Sequence, residues 1–168
     1  MSMMVLFLNF DGVLHPNAVR FKEGGTPVLN APGHRLFESI AALTEIAADF
    51  TDLFLMLNTW WTYTIGLDRC LRHLPAVLSS RVVGSVLPHA SSCPTLPHRI
   101  LLAIDAAANS EVPILMLDHA DARYPAHLLH ITFLLDPHVG LADPQAVRAF
   151  HRFISRAAER AARNTESL

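Results

Sequence analysis

Met4-Val5-Leu6-Phe7-Leu8 runs without a polar residue into Asn9-Phe10-Asp11-Gly12-Val13-Leu14. A short continuous apolar run that stops at polar residues and a glycine is the pattern of a strand buried on both faces, as in parallel sheets covered by helices. Leu53-Phe54-Leu55-Met56-Leu57, ending at Asn58-Thr59, and Pro113-Ile114-Leu115-Met116-Leu117, ending at Asp118, repeat the pattern. Arg81 to Val86 and His130 to Leu135, the latter ending at Asp136, predict two shorter strands. Between the strands the apolar spacing turns helical. Leu36, Phe37, Ile40, Leu43 and Ile46/Ala47 predict a helix from an Asn30 cap and Pro32 to about Asp49. Further helices are expected over Ile65–Leu74 and Pro97–Ala108. A closing helix starts at Pro144, with Val147, Phe150, Phe153/Ile154 and Ala157/Ala158 as its apolar stripe and arginines over much of the rest. This alternation predicts an α/β domain with five strands, mostly parallel and doubly wound, and helices on both faces. Gly12 to Pro32, rich in glycine and proline, reads as a long connection with room for a short hairpin but not for a second domain.

Composition sets the outer bounds. A chain of 168 residues fits one domain, expected over residues 1–163 with a frayed tail at 164–168. With 51% hydrophobic and 17% charged residues it is too apolar to be disordered. Thirteen Lys+Arg against fifteen Asp+Glu leave a net charge of −2, and no dense basic run marks a nucleic-acid footprint. Cys70 and Cys93 stand far apart in no metal-ligand spacing, which fits reduced, packed thiols and a cytoplasmic location. Neither a signal peptide nor a membrane span is expected. No phosphate-binding Gly-x-x-x-x-Gly-Lys-(Ser/Thr) loop, dinucleotide-binding Gly-x-Gly-x-x-Gly or Gly-x-Ser-x-Gly elbow occurs, so those chemistries are disfavoured.

In doubly wound sheets ligands bind outside the carboxyl ends of the strands, so the residues that end the strands carry the functional reading. Asn9 with Asp11, Asn58 with Thr59, Asp118 and Asp136 occupy those places. Two or three oxygens converging there suit a hard cation such as Mg²⁺. A hydroxyl such as Thr59 and backbone amides after Gly12 suit phosphate oxygens. The plainer reading of Thr59 or Asp118 alone is loop capping, and only their joint position favours chemistry. Of ten histidines, His15 and His119 flank these residues and are the two candidates for lining a cleft. Trp60 and Trp61 offer stacking surfaces for a base, or pack beneath a helix.

Leu6 to Leu14 resembles motif I of the haloacid dehalogenase-like (HAD) hydrolases, an apolar strand followed by Asp-x-Asp-Gly-(Val/Thr)-Leu. His15-Pro16, Thr59-Trp60, Arg81-Val82-Val83-Gly84, Leu117-Asp118, and Leu135-Asp136-Pro137 with Gly140-Leu141 are similar to a small bacterial branch, the HAD domain described with Swiss-Army-knife RNA-repair proteins. The resemblance spans roughly Met4 to Phe150. It implies a Rossmannoid three-layer α/β/α sandwich with a minimal cap or none, and a Mg²⁺-dependent phosphohydrolase. An open cleft of that kind suits bulky phosphoesters, with phosphorylated nucleic-acid ends among the substrates the branch implies.

The family's roles carry over position by position. Its nucleophilic Asp, which forms an aspartyl-phosphate, corresponds to Asn9; the acid/base Asp, whose carbonyl also holds the metal, corresponds to Asp11. The motif II hydroxyl maps to Thr59, with Asn58 as the competing alignment, and the motif IV metal carboxylate to Asp118. Arg99 is the choice for the motif III cation. Gly12, Asn58 and His15 are the expected substrate contacts, and Asn9, Asp11 and Asp118 the expected Mg²⁺ ligands. Three positions depart from the pattern: Asn9 for Asp, His119 where relatives carry a second acid, and Trp61 where the branch usually has Arg. Asn9 matters most, because an amide has no anionic oxygen to attack phosphorus and offers a metal only its carbonyl. Either the chain is a relative that lost phosphatase activity, or Asn9 replaces Asp by design. A non-catalytic phosphate-binding or protein-interaction module is the alternative reading.

Overall fold

The computed structural model describes residues 3–165, with side chains through Arg163. Strand β1 is Met4–Leu8, β2 Val19–Phe21, β3 Pro27–Leu29, β4 Leu53–Leu57, β5 Val82–Ser85, β6 Ile114–His119 and β7 Thr132–Leu135. The α-helices are α1 Ile40–Asp49, α2 Trp60–Ile65, α3 Leu67–Leu71, α4 Ala76–Ser79, α5 Arg99–Ala108 and α6 Pro144–Thr165. Five strands form one parallel sheet in the order β5-β4-β1-β6-β7, and β2 and β3 form a separate antiparallel hairpin. The sheet is therefore the expected one, and the hairpin is the only addition in the Gly12–Pro32 connection.

All five residues of β1 are buried, and they alternate between two cores. Met4, Leu6 and Leu8 face Leu43 and Ile46 of α1, Phe150, Ile154 and Ala157 of α6, and residues of α2 to α4. Val5 and Phe7 face Ala103 of α5, with Ile114, Met116 and Tyr124. This two-sided burial, at about 1.5–3 kcal/mol for each large apolar side chain, is why the strand reads as an unbroken apolar run. From β1 the chain builds outward to β4 and β5, then crosses through α5 to β6 and β7 on the other side. The strand order thus reverses between β1 and β6, and Asn9 and Asp118 sit on either side of that boundary.

Three local expectations are corrected. The first helix begins at Ile40, not near Asn30, because Phe37 adopts φ 58° and its N–H donates to the His15 ring at 3.2 Å. Asn30 does not cap it; its own N–H bonds the Ala18 carbonyl at 2.9 Å. The segment expected as one helix over 65–74 is two, broken at Gly66, whose φ of 83° a helix cannot contain. The last helix opens at Pro144 as expected, with the Asp143 carboxylate accepting from the Gln145 N–H at 2.8 Å, and extends to Thr165. The rest of the expected tail, 166–168, lies outside the described residues.

Candidate active site

The turn after β1 brings the strand-end residues together. Asn9 is 3% exposed, and its amide is oriented by its partners. Its Oδ1 accepts from the Phe10 N–H at 2.9 Å, which turns Nδ2 toward two acceptors. That nitrogen donates to the Asp11 carbonyl at 2.9 Å and to Asp118 Oδ1 at 2.8 Å. An amide group therefore bridges two oxygens that, in the site implied by the sequence, would converge on a cation.

Asp118, fully buried at the end of β6, is saturated. Oδ1 also accepts from the His119 N–H at 2.9 Å, while Oδ2 accepts from Arg99 Nη1 at 2.6 Å and from the Tyr124 hydroxyl at 2.9 Å. Arg99, at the start of α5, is 7% exposed and gives a second hydrogen bond to the Asn58 carbonyl at 3.0 Å. Burial opposes its charge, but Asp118 beside it outweighs burial and raises its pKa. Burial, then the Asp118 carboxylate, push the Tyr124 hydroxyl up as well, so Tyr124 stays a donor. The charge of Asp118 is thus met by a buried ion pair, and its four hydrogen bonds leave no orientation free for a metal.

Asp11 lies across the turn at the cleft, its side chain 16% exposed. Its Oδ1 accepts from Trp61 Nε1 and from His15 Nε2, both at 3.0 Å. Because the Phe37 N–H donates to His15 Nδ1, the proton of that ring sits on Nε2, the atom facing Asp11. Trp61 is fully buried among Phe10, Phe21, Phe37 and His73, with ring centroids 5.2 to 5.7 Å away. The carboxylate is therefore held by two donors whose rings are locked in an aromatic cluster.

A cleft of about 490 Å³ opens beside these groups, lined by Asn9, Asp11, Arg99, His119, Trp60 and neighbours from the loop before α5. The hairpin of β2 and β3 contributes nothing to that lining. It leans the other way, with Phe21 against Trp61 and the Gly24 carbonyl accepting from Arg69 at 3.3 Å. His119 is 7% exposed on the cleft wall, and its Nδ1 is buried without a hydrogen-bond partner. Trp60 is half-buried at the cleft, whereas Trp61 packs beneath it.

Four expected residues are placed elsewhere. His15 is fully buried, hydrogen-bonds Asp11 and does not line the cleft. Asn58, 1% exposed, donates to the Tyr124 hydroxyl at 2.9 Å, which ties it into the Asp118 network. Thr59, fully buried, caps α2 by accepting from the Trp61 N–H at 3.4 Å, so neither candidate for motif II lines the cleft. Gly12 has φ 72°, and a Cβ there would sit 2.8 Å from His119; its N–H donates to the His15 carbonyl at 2.9 Å. The Val13 and Leu14 N–H groups both go to the Phe10 carbonyl, so the amides expected to cradle phosphate close the turn on itself.

The residues present do not fit Mg²⁺. Asn9 points N–H groups, not oxygen, at the place between Asp11 and Asp118, and Asp118 is already neutralised by Arg99. Tyr124 completes this arrangement and had no signal in the sequence: it lies in an irregular loop, six residues past Asp118.

A family model described as the HAD domain in Swiss Army Knife RNA repair proteins matches residues 5–146. No curated protein and no solved structure matches the chain. Among the described residues, no helix is long and apolar enough to cross a membrane.

Proposed function

The chain belongs to the family of HAD domains of Swiss Army Knife RNA repair proteins, and on that premise we propose that it is a phosphohydrolase scaffold held in an off state by Asn9. HAD domains generally use Mg²⁺, and here the Asn9 amide ties the Asp11 carbonyl to Asp118 while Arg99 neutralises that carboxylate. That bridge is the observation that carries the reading. An amide in this place removes the nucleophile and fills the metal position with one side chain.

The acid/base partner is retained. Asp11 faces the cleft and is oriented by Trp61 and His15, as a group that protonates a leaving oxygen must be. The open cleft suits a phosphoester on a bulky leaving group, and phosphorylated nucleic-acid ends are the substrate class proposed from the family description. A second reading, a phosphate-binding module without turnover, is favoured by His119 on the cleft wall, whose buried Nδ1 has no hydrogen-bond partner and only Asp121 Oδ2 near it, at 3.9 Å.

The test is Mg²⁺-dependent phosphate release from a panel of phosphoesters, with the native chain and Asn9→Asp side by side. The variant places a carboxylate beside Asp118 and the Asp11 carbonyl, the oxygen set a hard cation takes. Turnover is expected only in the variant, by analogy with the roughly 10⁶-fold loss seen when a covalent nucleophile is removed. Silence in both would overturn the phosphohydrolase reading and leave the binding module.

A further inference from the structure

The polar face of α6 carries Arg148, Arg152, Arg156, Arg160 and Arg163, all exposed. At 3.6 residues per turn they project within an arc of about 120° and extend for roughly 22 Å along the axis. The buried stripe of Phe150, Ile154, Ala157 and Ala161 lies on the opposite side, packed on the sheet. The helix holds one acid, Glu159, against these five arginines, leaving eight basic and fourteen acidic residues elsewhere. A net charge of −2 therefore conceals a strongly segregated one, and the spacing of four explains why no dense basic run shows in the sequence.

The fold gives no reason for this stripe. Solvated helix faces usually mix signs, and like charges four residues apart cost about 0.2–0.5 kcal/mol per pair. Here three such pairs follow one another, from Arg148 to Arg160, and Glu159, the one acid within the same arc, offsets only part of them. The helix dipole favours cations only in the last turn, so it accounts for Arg163 and not for Arg148 or Arg152. Glu45 and Asp49 of α1 share a groove with Arg148 and Arg152, but Asp49 pairs with His151 at 3.0 Å. Among the described residues no carboxylate lies within 4 Å of Arg148, Arg152, Arg156 or Arg160.

We propose that this arginine stripe binds the phosphodiester backbone of a nucleic acid along α6. Planar guanidinium groups pair with phosphate oxygens in a bidentate manner. One arginine per about 6 Å of helix axis is close to the separation of successive phosphates along a single strand, so the stripe meets roughly one phosphate per arginine. An anionic bilayer is a poorer partner, because the apolar face an interfacial helix would insert is used up in the core. The N-terminal end of α6 follows the Gly140–Ala142 turn, where the Leu141 N–H bonds the Val13 carbonyl at 2.9 Å. A strand on the stripe is thereby led toward the end of the sheet that holds the cleft. The surface is separate from the cleft and stands whether or not Asn9 is the off switch.

The experiment is fluorescence anisotropy of a labelled single-stranded RNA of about 20 nucleotides, titrated with the full chain at several salt concentrations. Contacts from Arg148, Arg152, Arg156 and Arg160 predict that log K falls with log salt with a slope of about −2.8, and replacing Arg152, Arg156 and Arg160 by Gln should reduce it to about −0.7. At fixed low salt the triple variant should bind at least tenfold more weakly, while Arg72→Gln, an exposed arginine off the stripe, should bind as the native chain does. Circular dichroism confirms that each variant is folded. No binding at about 50 mM salt, a triple variant that binds like the native chain, or tighter binding to phosphatidylserine vesicles than to the RNA would each overturn the proposal. None of these readouts depends on phosphate release, so failure here and failure of the Asn9 reading are distinguishable.

Discussion

At the scale of single residues, Asp118 is the pivot of the site. It is fully buried and charged, and it is tolerated because Arg99, Tyr124, Asn9 and the His119 N–H supply four donors. Removing one member of a buried ion pair leaves the other uncompensated, so Arg99→Met is expected to cost about 3–5 kcal/mol, measured by urea unfolding. Tyr124→Phe deletes one neutral donor and should cost about 1–3 kcal/mol. If Arg99→Met cost less than Tyr124→Phe, Asp118 would not carry its charge as described. The sequence led to Asn9, Asp11, Arg99 and Asp118, because strand ends and a helix start are legible from apolar runs. For Thr59 it offered capping as the plainer reading, which the structure shows, but it did not lead to the roles of His15 and Asn58, since adjacency in the chain says nothing about which side of a turn a side chain faces.

At the scale of elements, the loop after β1, the start of α1 and the helix α2 are joined by one aromatic cluster. His73, exposed at its edge, stacks on Phe37 with ring centroids 5.3 Å apart and 11° between planes. Its pKa lies below the ordinary 6.5, lowered by burial against the cluster and then by Arg69, Arg72 and His15. The unfolded chain therefore takes up this proton more readily than the folded one. The contribution of His73 to stability is present above pH 6.5 and is lost as pH falls below it. Melting temperature should drop between about pH 7 and 5.5, and His73→Phe should flatten that drop; an unchanged pH profile in the variant would contradict the assignment. The same cluster explains the late start of α1, since the left-handed Phe37 is held by a ring 22 residues away that no local pattern reveals.

The two cysteines report on packing in this region. Cys70 in α3 is fully buried and its thiol is pushed up to about 12 by burial, whereas Cys93 is partly exposed in the loop before α5. Only one thiol should react with a thiol-specific reagent at about pH 8 in the folded chain, and both in denaturant. Two fast thiols would mean that α3 does not pack as described.

At the scale of the whole molecule, the sheet places β1 beside β6 at the point where the strand order reverses, and the cleft follows from that topology. This much was legible, because each central strand announces itself as an apolar run and each run ends in its polar residues. Charge segregation was not, because a net charge sums over faces that only the fold separates. The fold is that of the HAD domains, and at the carboxyl ends of its central strands an amide joins the Asp11 carbonyl to Asp118.

Mg²⁺ binding followed by titration calorimetry tests whether the Asn9 amide closes this site to a cation. The native chain should give no binding heat at millimolar Mg²⁺, while Asn9→Asp should bind with a dissociation constant of about 1 mM or tighter. Binding of Mg²⁺ by the native chain as tightly as by the variant would contradict that closure.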